Sequence, residues 1–510
     1  MPPRGSAWYL VVFFLLIPFL LLGRESKVYS PIMYGWNNAQ NGIERYWVLY
    51  NTHIAALKEN GRVSYEGLKT VELEIPNDAI SIPLTDETDF HGVALTVVNN
   101  TKDFCLFEKK LHDIPISLSP ANVDCGNFRD NEILQNGLYI ICLSDKNPWV
   151  KNRRGYEYGH KRCDLLLVKD GNAENIPISP YNNDYSSLEA SYCSVSDNKK
   201  IIENIHFYRK SNNTKKVFFV SIANQFNLEI RDIDLHTPKD DLVEDYLICV
   251  SNCYDVTFKN IWIDGTYSRR DHYGYGICMG NVSRVIFERL KGNGNWGIFC
   301  NNNVHNVRLK GCDINRFDVH CYGKDIVFEN CIFRDLYNQF SSVFGIVSFN
   351  KCVFLNFIPV LFESSYNAYK TFDLSFKDCV IHATKEKNYL ISGGELNGLK
   401  TDERYELRVQ EYPNIYINRL TINLPKNTDY YLYWFDRGVI QWPIDSVPGI
   451  IKVKGVKFKP ENGRELKLSN LQSLLRYPES NYIGSSLCFF ALLFSSSIYL
   501  VNRKRRKFKK

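Results

Sequence analysis

Three short stretches decide the fold: Ile326–Cys331 (IVFENC), Val347–Cys352 (VSFNKC) and Leu374–Cys379 (LSFKDC). Each reads apolar, any residue, apolar, any residue, polar or small, apolar. A strand alternates its side chains, so the first part buries one face. The polar or small residue then turns a corner, and the next apolar residue points inward again. The same pattern ends at Ile233, Ile261, Leu420 and Val456. Aligning the central apolar residues Ile202, Ile230, Phe258, Phe287, Leu309, Phe328, Phe349, Phe376, Ile417 and Val453 gives steps of 28, 28, 29, 22, 19, 21, 27, 41 and 36 residues. The shortest steps fit one bare coil of a solenoid, and the longer ones fit coils carrying an outward loop. One such coil cannot bury its apolar side alone, but coils stacked about 4.8 Å apart can. The expectation is an all-β fold, a right-handed parallel β-helix, with Cys312, Cys331, Cys352 and Cys379 in one ladder. Cysteine is a small, readily buried hydrophobe, so core filling explains these four. Their spacing matches no zinc pattern.

The flanks are read around this repeat. Residues 25–200 form an N-terminal cap and the first, loop-rich coils, and residues 201–458 the regular β-helix. Asn51 is expected to cap a short helix over residues 52–59 that ends at Gly61 and covers the open end of the solenoid. Residues 110–200 are expected to leave an early coil as a large excursion, and residues 384–414 and 425–450 to form later insertions. Cys105, Cys125, Cys142, Cys163 and Cys193 precede the ladder and are available for disulfides in unknown connectivity.

Both termini carry apolar segments. Residues 1–24 read as a signal peptide or signal anchor. Residues 459–481 read as a C-terminal cap and linker, and residues 482–501 as a transmembrane helix. A basic tail, 502–510, is cytoplasmic by the positive-inside rule. The bulk is therefore expected to be membrane-anchored and extracytoplasmic, at a cell surface or in a periplasm. The net charge of +6 arises from this tail, whose last eight residues hold seven basic side chains. The folded part has no basic field, which argues against a nucleic-acid partner.

The sharpest chemical cluster follows Cys312. If Phe317 and Val319 point inward, then Arg316, Asp318 and His320 form an outward row, each roughly 7 Å from the next. A cation, a carboxylate and an imidazole in one solvent row can hold an acidic sugar and move a proton. Trp296 can stack on a sugar ring, Asn301 and Asn303 can read hydroxyls, and Tyr273 and Tyr275 stand one coil back. Structural roles compete with each of these. Arg316 and Asp318 can be an ion pair, the asparagines can be a ladder, and Trp296 can be core.

The run WGIFCNNN (residues 296–303), followed by GCDINRFDVH (residues 311–320) and IVFENC, resembles a motif of pectate-lyase-like β-helix proteins of the bacterial surface and phage-associated type. The resemblance covers roughly residues 250–335 closely, and implies the β-helix and a polysaccharide partner. It does not fix a reaction. Polygalacturonase-like hydrolases fit less well, because NTD occurs only at residues 427–429 and GHG and RIK are absent. Lyases of this fold use acidic calcium ligands, and no convincing acidic cluster is present, so no cofactor is assigned. Three functions follow as expectations: an enzyme acting on polysaccharide as lyase, epimerase or hydrolase; a non-catalytic glycan-binding adhesin; or a structural surface scaffold.

Overall fold

The computed structural model of the chain describes residues 26–469, apart from 127–135, 144–162, 178–187, 211–216, 238–245, 267–274, 295–296, 335–336, 341–342, 356–358, 363–371, 384–387, 394–412, 426–427, 436–449 and 461–464. Both apolar terminal segments lie outside the described residues. Among those described, no helix is long and apolar enough to cross a membrane.

Parallel strands stack coil upon coil around one axis, forming a β-helix. Ile202 pairs in register with Ile230, Ile230 with Phe258, Phe258 with Phe287, and Phe287 with Leu309. The row continues through Phe328, Phe349, Phe376, Ile417 and Val453. Phenylalanines in this row stack nearly face to face, with ring centroids 4.7 Å apart for Phe258/Phe287 and Phe328/Phe349. That distance is the spacing between strands, so the aromatic ladder follows directly from the repeat.

The corners explain the polar residue in each repeat. Asn204, Asp232, Asn260, Arg289, Asn330, Lys351, Asp378 and Arg419 all adopt left-handed φ values between 50° and 62°. Asparagine and aspartate reach this region more cheaply than other non-glycine residues. The two corner arginines are tied down, Arg289 Nε donating to Asn260 Oδ1 at 2.6 Å and Arg419 pairing with Asp378. The next inward residue is a ladder cysteine after Asn330, Lys351 and Asp378, and isoleucine or leucine after the other corners. Cys331 Sγ donates to the carbonyl of Leu309 in the preceding coil at 3.5 Å and to that of Glu329 at 3.4 Å. Cys312, Cys352 and Cys379 repeat this geometry at 1% exposure or less. These thiols fill core, and each adds a weak bond to a corner carbonyl that already accepts a backbone N–H from the neighbouring coil, as Glu329 does from Gly311 at 2.9 Å.

The N-terminal helix corrects one expectation. α1 (Gly42–Lys58) starts ten residues before the expected boundary and is capped by Asn41, whose side chain accepts from Glu44 N–H at 2.9 Å. Asn51 is an exposed residue inside it. The helix ends in a Schellman arrangement: Asn60 is left-handed, its N–H reaches the Leu57 carbonyl, and the Gly61 N–H reaches that of Ala56 at 2.8 Å. Tyr46, Leu49, His53 and Ala56 lie buried on one face. The His53 ring sits 6.1 Å from the Phe107 ring of the second coil, so α1 closes the open end of the core.

Between the strand Phe104–Lys110 and the return at Lys200–Arg209 the chain builds a separate five-stranded antiparallel sheet. Its strand order is Asn172–Ala173, Cys163–Lys169, Gly137–Leu143, Leu188–Cys193, Ile114–Ile116. A disulfide joins Cys142 to Cys163 within it. One face of this sheet packs Leu138, Leu165, Leu167 and Cys193 against Phe226 and Tyr254 on the β-helix wall. At that wall Asn224, Asn252 and Asn281 form an amide ladder at left-handed corners, with donor–acceptor distances of 3.0 and 2.9 Å.

Candidate functional site

Trp296 and Tyr273 lie outside the described residues. Tyr275, Asn301, Arg316, Asp318 and His320 gather at one corner of the coils, but not as a solvent row, and Asn303 stands at another. Phe317 and Val319 are buried inward, as the alternation requires, yet Arg316 and Asp318 are also buried, at 1% and 0% exposure. This corrects their expected exposure. Asp318 does stand on the outer side of its strand, opposite Gln339 of the next coil. The Arg316 side chain lies back over it, its Nε donating to Asp318 Oδ1 and its Nη2 to Gln339 Oε1 at 2.5 Å. The Tyr337 ring covers the guanidinium at 4.6 Å. Burial works against the Arg316 cation, but Asp318, Tyr337 and Tyr275 outweigh it and hold the group above its ordinary range. The pair is also stitched to the following coil: Asn338 Oδ1 accepts from Phe317 N–H at 3.0 Å, and its amide donates to the Pro359 carbonyl at 2.9 Å.

The two asparagines also need correction as sugar readers. Asn303 occupies a left-handed corner and is the rung after Asn281 in the amide ladder; it accepts from the Cys163 N–H at 3.4 Å. Asn301 points inward in the row of Val250, Met279 and Val319, fully buried. Its amide donates to the Asp318 carbonyl at 2.7 Å. The reason is local. Asn301 pairs with Val319 and Asn302 with Cys321, so His320 is an extra residue, a β-bulge. Asn301 braces the bulge, and the bulge re-aims His320.

His320 is therefore the partly exposed ionisable group of the cluster, its side chain 17% exposed. Its Nε2 lies 3.9 Å from Asp318 Oδ2 and its Nδ1 3.7 Å from Cys300 Sγ. The Tyr275 ring meets it edge-on at 6.2 Å. Cys300 ends an outer row of thiols, Cys249, Cys278 and Cys300, stacked on successive coils and running straight into Asp318. Sequence reasoning missed this row, although its spacings of 29 and 22 residues equal the repeat steps of the same coils. Thiol hydrogen bonds from Cys249 and Cys300 hold Cys278 low, while the same contact and burial hold Cys249 high. Among the described residues no group of three or more His, Cys, Asp or Glu is arranged to hold a metal ion.

With this geometry in place the chain can be compared with solved structures. The tailspike of Acinetobacter baumannii bacteriophage AP22, solved in complex with A. baumannii capsular saccharide, superposes with a TM-score of 0.55 at 12% identity, over 87% of this chain and 77% of that one. The chain shares the fold of that phage tailspike. Two further tailspikes are more distant: that of Pseudomonas phage phi297 (TM-score 0.45, 11% identity, 81% of this chain and 76% of that one) and that of Pseudomonas phage LKA1 (0.42, 11%, 86% and 79%). No family model and no curated protein matches the sequence.

Proposed function

We propose that this protein binds polysaccharide along the outer wall of a right-handed β-helix and that His320 is the acid/base group at that surface. The observation that carries the reading is the bulge. The imidazole that stands as the extra residue of the bulge is partly exposed and is backed by a buried carboxylate that is itself neutralised by Arg316. In this arrangement Arg316 and Asp318 position and polarise His320 rather than touch a sugar, and Tyr275 shapes its flank. The fold shared with a saccharide-bound tailspike supports an extended glycan as the partner. Right-handedness follows the sense that parallel strand crossovers adopt.

Placement outside the cytoplasm, with residues 482–501 as a membrane anchor, rests on the sequence of the two apolar segments. The Cys142–Cys163 disulfide supports an oxidising compartment. The test is titration of the full chain with uronate-containing and capsular polysaccharides, following binding, reducing ends and the absorbance of unsaturated sugars. Binding that persists in His320→Ala while turnover is lost supports the acid/base role. No binding to any of them overturns the reading. A second reading, a purely structural cluster, draws on the burial of Arg316 and Asp318; it requires that His320→Ala leave every glycan signal unchanged.

A further inference from the structure

The row Cys249–Cys278–Cys300 ends against an imidazole that in turn faces a carboxylate. Cys300 Sγ, His320 Nδ1, His320 Nε2 and Asp318 Oδ2 follow one another with gaps of 3.7 and 3.9 Å. A carboxylate at Nε2 favours the tautomer that leaves Nδ1 to accept the Cys300 proton when that thiol turns from Cys278 towards the ring. Beside the thiols the wall has a notch. Gly280 lies on the outer face two residues beyond Cys278, and a side chain added there would meet nothing within 4 Å among the described residues. Ser251 and Asn302 flank that glycine on the neighbouring coils, and Asn302 presents an amide two residues after Cys300. A thiol, a base, an orienting carboxylate and a small open notch with an amide at its edge are the parts of a covalent acyl-transfer site.

We propose that Cys300 is a nucleophile that removes ester-linked acyl groups, such as O-acetyl substituents, from saccharide held on this wall. The saccharide carrier rests on the proposed function; the thiol chemistry does not. As the Cys300 sulfur bonds to the ester carbonyl carbon, its proton passes to His320 Nδ1. The carbon–oxygen bond to the sugar then breaks, and His320 returns that proton to the leaving hydroxyl oxygen. Water, giving a proton to His320, attacks the thioester carbonyl; the carboxylic acid leaves and the thiol regains its proton. The net change is ester plus water to acid plus alcohol, with no oxidant or reductant. Asp318 acts through His320 as a positioning residue.

The full chain is mixed with p-nitrophenyl acetate, and the acyl-enzyme is trapped in acid and mapped by peptide mass spectrometry. The expected result is one acetyl group on Cys300, absent in Cys300→Ser and formed about 100-fold more slowly in His320→Asn. In Asp318→Asn the pH profile of Cys300 alkylation by iodoacetamide moves, a readout that a purely structural role would leave in place. Cys249→Ser serves as a folded control that keeps acylation. Acetyl on Cys249 or Cys278 instead of Cys300, no acetylation at all, or an unchanged rate in His320→Asn overturns the proposal. Glycan binding measured separately on Cys300→Ser keeps the two readings apart. Acylation without glycan binding sinks only the saccharide carrier, and binding without acylation sinks only the thiol.

Discussion

Replacing Arg316 by Met tests whether the Arg316–Asp318 pair holds its coil together. Methionine keeps the length and the apolar stem, so the change removes the charge, the bonds to Asp318 and Gln339 and the cation over Tyr337, with little loss of volume. Asp318 is fully buried, and the carboxylate then stands uncompensated in a low-dielectric corner. Breaking one side of such a pair costs about 3–5 kcal/mol. Stacked coils exchange stability mainly with their neighbours, so a global unfolding curve is a poor readout and native-state hydrogen exchange a good one. At 1.4 kcal/mol per decade, amides of the strand Asp318–Glu329 should exchange roughly a hundred- to several-thousand-fold faster. Amides of Asn414–Asn423, three coils away, should be unchanged. The double variant Arg316→Met/Asp318→Leu removes the stranded charge and should recover most of the protection, because an apolar pair of similar volume is often as stable as the buried ions it replaces. Less than a tenfold change in the single variant, or a double variant no better protected than the single, would refute the assignment of the energy to an uncompensated buried charge.

His53 gives a pH prediction. Burial lowers its pKa to about 3, so the folded protein keeps the imidazole neutral while the unfolded chain takes up a proton below about pH 6.5. Unfolding free energy should therefore fall by about 1.4 kcal/mol per pH unit as pH drops from about 6.5 towards 3, and show no contribution from this group above 6.5. Urea titrations at several pH values should find that slope reduced in His53→Gln. At the amide ladder, Asn252→Ala loses bonds on both sides and a residue tolerant of left-handed backbone, and should cost about 2–3 kcal/mol. Asn252→Gly should recover the backbone part, and equal protection in both variants by hydrogen exchange would count against the corner argument. Cys142 and Cys163 lie 21 residues apart, so removing their disulfide should cost about 3 kcal/mol. Limited proteolysis should then cut the excursion sheet first; earlier cleavage within the β-helix would contradict its description as a separate packing unit.

The repeat was legible because stacking imposes one requirement on every coil: an inward residue at the same place, then a left-handed corner, then an inward residue again. Phe328, Asn330 and Cys331 carry that requirement in sequence, and no distant information is needed to read it. The start of α1 was also written locally, in Asn41 and Glu44, but the intervening run Tyr46, Trp47, Val48, Leu49 and Tyr50 has strand composition and hides the helix. The site shows where alternation stops being sufficient. Period two places Phe317 inward and Asp318 outward, and both directions hold. It does not say that Tyr337 and Gln339, about one coil later, close over Arg316, nor that Asn301, one coil earlier, fixes a bulge at His320. Exposure in a solenoid is a property of three successive coils, whereas alternation is a property of one. The same step arithmetic that aligned Phe258, Phe287 and Leu309 would have aligned Cys249, Cys278 and Cys300, but its next step of 19 lands on Val319, one residue past Asp318, because His320 is an extra residue in that strand. The reactive row was thus present in the sequence as a register. It becomes visible only when outward residues are laddered with the same care as inward ones.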